Sequence, residues 1–231
     1  MTIRAVVFDA YGTLFDVASA ARLAFAHDPA MAAVWPRLAE DWRRKQLEYT
    51  WLRAIMGRHA DFRQVTADAL DWALAAQGVS ADRDRLMALY DTCAAYPEVP
   101  AVLSALRAAG LPAAILSNGT PAMLAGAIAA AGLEGAFAAV ISVEEAGVFK
   151  PDARVYARIA PRLGLAPAEV LFVSSNGWDA CGAALFGFDT VWINRNGAPP
   201  DRLPAAPART LADLADLPTF IRGRDADLHD H

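Results

Sequence analysis

The stretch Val6-Val7-Phe8-Asp9-Ala10-Tyr11-Gly12-Thr13 runs from three apolar residues into a carboxylate and a glycine turn. An unbroken apolar run suits a strand covered on both faces, as in a parallel sheet; a half-exposed strand would alternate. Its carboxyl end then carries Asp9 into the turn. Four further runs have the same character: residues 113–116 before Ser117-Asn118-Gly119, residues 139–142, residues 170–173 before Ser174-Ser175-Asn176-Gly177, and residues 190–193 before Asn194. Between them lie helical patterns over 99–109, 121–131, 151–163 and 178–186, stopped at Gly110, Gly132, Gly164 and Gly187. Strands alternating with helices predict an α/β fold with a doubly wound, Rossmann-like parallel sheet. Ligands of such sheets sit outside the carboxyl ends of the strands, where the polar residues just named fall.

Between residues 17 and 96 the alternation breaks and only helical patterns occur, over about 31–56, 62–76 and 81–95, the last with Ser80 as its N-cap. Leu38, Trp42, Tyr49, Leu52 and Met56 recur at helical spacing and predict one buried face. An all-helical insert directly after the first strand reads as a cap over the active-site end of the sheet. The expected organisation is a core of 1–16 and 97–222, a helical cap of 17–96, and a polar, frayed tail of 223–231 whose two histidines read as solvated.

Hydrophobic residues make up 55% of the 231 and charged residues 20%, which predicts a well-buried globular core. A net charge of −5 argues against a nucleic-acid binder. No apolar run is long enough for a signal peptide or membrane span, so a cytoplasmic protein is expected. Cys93 and Cys181 stand far apart in no metal-ligand spacing and read as reduced, partly buried thiols.

Four polar groups fall at strand ends. Asp9 suits a nucleophile, although alone it reads equally as a turn cap. Lys150, between Phe149 and Pro151, suits a counter-charge or an ordinary surface lysine. Asp179, closing Ser174-Ser175-Asn176-Gly177-Trp178-Asp179, suits a site carboxylate or a helix N-terminal charge. The fourth, Ser117-Asn118-Gly119-Thr120, is a strand-to-helix junction whose exposed amides suit an anion. Singly these are weak signals; in this order, all at strand ends, they are specific.

Phe8-Asp9-Ala10-Tyr11-Gly12-Thr13-Leu14, Leu116-Ser117-Asn118-Gly119, Lys150-Pro151 and Ser174-Ser175-Asn176-Gly177-Trp178-Asp179 resemble the four motifs of the haloacid dehalogenase superfamily. Within it, Trp42-Arg43 and the run from Lys45 to Arg53 resemble the cap of the L-2-haloacid dehalogenases. The resemblance extends from Ile3 to about Asn196 and implies displacement of halide from a short-chain L-2-haloacid. Asp9 is the implied nucleophile, through an aspartyl ester hydrolysed to the D-2-hydroxyacid. It implies that Lys150 keeps Asp9 ionised, that Thr13, Ser174 and Asn176 orient it, and that Asp179 holds Lys150 or positions the water. Arg43 is implied to receive the halide, and Ser117 and Asn118 the substrate carboxylate. Tyr156 matches an active-site position of the family, and Tyr11, Leu47, Phe62 and Trp178 resemble its apolar pocket wall. Each of these five reads equally as core packing.

Related phosphatases place a second Asp two positions after the nucleophile to protonate the leaving group; here that position is Tyr11. Halide needs no proton to leave, so the loss costs a dehalogenase little. With Ser174, Ser175 and Asn176 where such enzymes add carboxylates, no metal and no other cofactor is expected. Gly177 and Phe149 stand where relatives carry alanine and frequently tyrosine. The expected partners are the 2-haloacid, the halide ion and a second copy of the chain, with Trp42, Tyr49 and Trp51 on the cap helix offering apolar surface.

Overall fold

The computed structural model describes residues 2–229, with side chains to Gly223. Six parallel strands form the sheet, in the order β5-β4-β1-β6-β7-β8: β1 (Ala5–Phe8), β4 (Ala113–Ser117), β5 (Ala139–Ser142), β6 (Val170–Ser174), β7 (Asp189–Ile193) and β8 (Arg209–Leu211). β1, β4 and β6 are buried at every position, as their continuous apolar runs require. Phe8 and Phe172 are wholly covered, each such side chain contributing roughly 1.5–3 kcal/mol of apolar burial. The chain winds from β1 toward β4 and β5, then crosses back to β6. This leaves a crevice between the carboxyl ends of β1 and β6, into which Asp9 and the 174–179 turn both open.

A two-stranded antiparallel ribbon, β2 (Phe15–Asp16) with β3 (Ala94–Ala95), carries the chain out of the core and back. Between its strands lie only helices and turns: α1 (Val17–Ala24), α2 (Pro29–Met56), α3 (Phe62–Gln77) and α4 (Arg83–Met87). Asp16, Asp28 and Asp61 cap the first three, each side chain accepting a backbone N–H of the first turn. On the core side follow α5 (Val99–Ala108), α6 (Pro121–Ala130), α7 (Ala153–Tyr156), α8 (Ile159–Leu163), α9 (Gly177–Phe186) and α10 (Leu217–His229).

The structure departs from expectation in four places. The buried face of α2 is Leu38, Trp42, Gln46 and Thr50, while Leu52 and Met56 are exposed. Polar residues enter that face because they are paired: Gln46 Nε2 donates to Thr66 Oγ1, and Thr50 Oγ1 donates to the Leu47 carbonyl. Trp42, only 2% exposed, belongs to the cap interior and offers no outer surface. The third cap helix is short, because Asp82 rather than Ser80 caps it, accepting from Asp84 and Arg85 N–H, and because Ala94–Ala95 pairs as strand with β2. The pattern over 151–163 splits into α7 and α8, since Pro161 has no N–H to bond the Ala157 carbonyl and its ring crowds that group. The tail is helical as far as His229. Asp230 and His231 lie outside the described residues, as do the side chains of both tail histidines.

Cys93 and Cys181 are free and buried, and burial pushes the Cys93 thiol up to about 12. Among the described residues no helix is long and apolar enough to cross a membrane.

Candidate active site

Asp9 leaves β1 with its N–H bonded to the Val173 carbonyl, which sets the carboxylate at the mouth of the β1–β6 crevice. Three side-chain donors converge on it. Lys150 Nζ lies 3.1 Å from Oδ1, while Thr13 Oγ1 at 3.1 Å and Asn176 Nδ2 at 3.0 Å donate to Oδ2. Thr13 reaches back because the turn folds onto one acceptor: the N–H groups of Thr13, Leu14 and Phe15 all point at the Ala10 carbonyl. Gly12 makes that turn with φ of +85°, and a Cβ there would stand 3.0 Å from Ser175 Oγ, so glycine answers both backbone and space.

Lys150 is 1% exposed and lies between two carboxylates, with Asp179 Oδ2 at 2.9 Å. Burial alone pulls its ammonium down, but Asp179 and Asp9 outweigh burial and hold it above the ordinary lysine value. Burial lifts the fully covered Asp179 carboxyl, and the Lys150 ammonium opposes that rise. Tyr156 Oη donates to Asp179 Oδ1 at 2.7 Å. Burial, then the Asp179 charge, keep this phenol protonated far above its usual range. The result is a chain of charge and hydrogen bonds, Tyr156–Asp179–Lys150–Asp9, closed from water on the core side.

Opposite it, Arg43 of α2 reaches across and donates to Asn176 Oδ1. Arg43, Leu47, Asn176 and Trp178 line a cleft of about 580 Å³ between the helical insert and the sheet edge. The two buried carboxylates do not fit a magnesium ion, because the Lys150 ammonium holds the space between them and the remaining donors are neutral. Among the described residues no group of three or more His, Cys, Asp or Glu is placed to hold a metal.

The pattern of the family described as haloacid dehalogenase-like hydrolase matches residues 3–187. The chain belongs to that family. It is similar to (S)-2-haloacid dehalogenase 1 of Pseudomonas sp. (strain CBS-3), 47% identical over 222 residues that cover 95% of this chain and 96% of that one. Among solved structures it resembles the L-2-haloacid dehalogenase RSc1362, with 44% identity, coverage of 96% and 100%, and a TM-score of 0.90. It also resembles the L-2-haloacid dehalogenase from Xanthobacter autotrophicus with chloropropionic acid covalently bound, with 41% identity, coverage of 96% and 99%, and a TM-score of 0.86.

Of the residues that the family motifs single out, Asp9, Thr13, Lys150, Asn176, Asp179, Tyr156 and Arg43 form one connected network. Others are placed differently. Ser174 Oγ accepts the Asn176 N–H at 3.1 Å, so it shapes the turn that carries Asn176 instead of touching Asp9. Ser117 Oγ accepts the Gly119 N–H, and Asn118 Oδ1 accepts the Lys150 N–H, tying the lysine turn to the end of β4. Phe62 is buried near Phe149, its N–H held by Glu144 Oε1. The Tyr11 ring packs against Tyr90 and beside Gly119, and burial raises its phenol. Trp178 meets Trp51 edge-on at 5.4 Å.

Three contributors escape the motif reading. Ser175 donates its N–H to Thr13 Oγ1 at 2.8 Å, which holds that hydroxyl in place 3.1 Å from both Asp9 Oδ2 and Ser175 Oγ. Gly182, one turn beyond Asp179, lets α9 approach closely: a Cβ there would lie 2.7 Å from both Tyr156 Oη and Pro151 Cβ. Arg195 follows β7 at the same sheet edge, where the strand-end rule alone could have flagged it.

Proposed function

We propose that the protein hydrolyses the carbon–halogen bond of short-chain L-2-haloacids, giving D-2-hydroxyacids with inversion through an ester on Asp9. The observation that carries this reading is the single carboxylate held by Lys150, Thr13 and Asn176, with an aromatic ring at position 11 where a proton donor would serve other leaving groups. An Asp9 carboxylate oxygen attacks C2 from the side opposite the halogen. The new C–O bond forms as the C–X bond breaks, and halide departs with the electron pair. Water then adds to the Asp9 carbonyl carbon, the bond from that carbon to the ester oxygen breaks, and hydroxyacid and one proton are released.

Lys150, 3.1 Å from Asp9 Oδ1, sets its positive charge beside the nucleophile and polarises the ester carbonyl. Thr13 and Asn176 fix the orientation of the attacking oxygen. Asp179, held by Tyr156 on one oxygen and facing the ammonium with the other, fixes Lys150; Ser174 acts through Asn176. Arg43 supplies positive charge where the halide departs. Ser117 and Asn118 receive the substrate carboxylate with their remaining hydroxyl and amide donors. Leu47, Phe62, Tyr11 and Trp178 surround the acyl chain and limit it to short lengths. In this reading residues 1–16 and 97–222 are the catalytic core and 17–96 the cap. No cofactor takes part. Two free thiols suit a cytoplasmic location.

Halide release from separate L- and D-2-chloropropionate, with EDTA present, tests the reading. Release from the L form alone, undiminished by the chelator, is expected. Release from neither, or only after magnesium is restored, contradicts it.

We also propose that the chain forms a homodimer. Leu52, Ile55 and Met56 on α2 expose large apolar side chains, and exposed Leu203 lines one surface groove with Ile55, which together offer an apolar face for a second copy. Sedimentation at micromolar concentration is expected to give twice the chain mass. A clean monomer would sink the idea.

A further inference from the structure

Arg195 sits two residues past β7, on the rim of the cleft, and its side chain is mostly covered. Its guanidinium serves three partners. One nitrogen donates to the Thr13 carbonyl at 3.0 Å and lies 2.7 Å from Glu98 Oε1, while the group as a whole lies over the Tyr96 ring, 3.6 Å from the centroid. These partners belong to the two places where the chain crosses between sheet and helical insert. Thr13 leads into β2 on the way out; Tyr96 and Glu98 follow β3 on the way back. The crossings meet each other through the β2–β3 ribbon and through the Tyr96 N–H on the Leu14 carbonyl. Arg195 is an anchor from the sheet that grips both. Its planar head lies over Tyr96 while one nitrogen faces both the Thr13 carbonyl and the Glu98 carboxylate, a geometry the rounder lysine ammonium reproduces only in part.

The same contact reaches the nucleophile. Thr13 presents its carbonyl to Arg195 and its hydroxyl to Asp9, 3.1 Å from Oδ2. That carbonyl shares a peptide plane with the Leu14 N–H, which the Ala10 carbonyl holds from the other side, so Arg195 and Ala10 together set the plane from which the Thr13 side chain reaches Asp9. We propose that Arg195 is a positioning residue for the hydrolysis: it clamps both crossings to the core and, through Thr13, orients the Asp9 carboxylate. The proposal rests on the dehalogenase reading for its kinetic consequence but not for its structural one.

The test compares wild type, Glu98→Gln, Arg195→Lys and the double variant Arg195→Met/Glu98→Gln, the last chosen so that no half-buried carboxylate is left without its partner. Steady-state halide release from L-2-chloropropionate and amide hydrogen exchange of residues 10–16 and 94–98 are measured on folded protein. Glu98→Gln keeps the Thr13 contact and the Tyr96 stack, and its kcat stays near wild type. The double variant loses at least about tenfold in kcat, the scale of a small misalignment at the reacting atoms, with a smaller change in KM. Arg195→Lys recovers part of that loss. Exchange quickens in both segments of the double variant, and this readout needs no activity, so an inactive wild type would refute the dehalogenase reading while leaving the clamp testable. If the double variant fails to fold, Arg195→Lys carries both readouts. Wild-type kcat together with unchanged exchange at 10–16 would overturn the proposal, as would a lower melting temperature accompanied by an unchanged kcat.

Discussion

Asp9→Asn is expected to fold normally and to lose at least about 10⁴-fold in halide release, the scale seen when a covalent nucleophile is removed. The substitution keeps shape and volume, and it removes one of the two carboxylates that flank a single ammonium. Its cost lies in hydrogen bonding. Lys150 donates to one oxygen of Asp9, and Thr13 and Asn176 donate to the other. An amide must turn its NH2 toward one of these donors, leaving a donor facing a donor at a site only 7% exposed, a penalty of about 1–3 kcal/mol. Kinetics with L-2-chloropropionate and a melting curve measure both effects. Activity within tenfold of wild type would remove Asp9 from the role of nucleophile.

Lys150→Met is expected to be the most destabilising change in the site as well as an inactivating one. It leaves the Asp9 and Asp179 carboxylates buried without their cation, a loss of about 3–5 kcal/mol when one partner of a buried pair is removed. The pH dependence has a definite sign. Because the folded protein holds the Lys150 ammonium above the ordinary lysine value of 10.5, its contribution is fully present below that pH. The contribution disappears as pH rises through the higher folded value. The stability gap between wild type and variant, read from denaturant melts, should therefore hold at mildly alkaline pH up to about 10.5 and close above it. A gap that closes well below pH 10 would mean that Lys150 is not held as a buried cation.

Much of this arrangement is visible in the order of residues, for a physical reason. A parallel strand covered on both faces leaves an unbroken apolar run, so β1, β4 and β6 declare themselves, and the residue after each lands at the edge where ligands bind. Asp9, Ser117 and the 174–179 turn are found this way. Lys150, expected at a strand end, lies instead in the loop well past the end of β5 at Ser142, and Arg43 lies on α2, so only the family motif ties them to the site. What escapes depends on the third dimension. β2 and β3 are two residues each and β8 is a short, largely exposed edge, all too brief for a pattern. The inner face of α2 includes Gln46 and Thr50, which only a neighbouring helix can satisfy. Ser174 stands beside Asp9 in the motif, yet its hydroxyl serves the turn behind it. Gly182 matters only because Tyr156 and Pro151 approach from other segments, and Arg195 because both crossings happen to pass beneath it.

Oxygen labelling detects an ester on Asp9 directly. With enzyme in excess over L-2-chloropropionate in H2¹⁸O, the peptide containing Asp9 and the released hydroxyacid are weighed by mass spectrometry after a single turnover. The expected result is ¹⁸O in the Asp9 carboxyl and unlabelled oxygen in the product hydroxyl, because water attacks the ester carbonyl and the substrate carbon keeps the oxygen it took from Asp9. Label in the product hydroxyl, with none in Asp9, would mean that water attacks the haloacid itself and that no ester forms on Asp9.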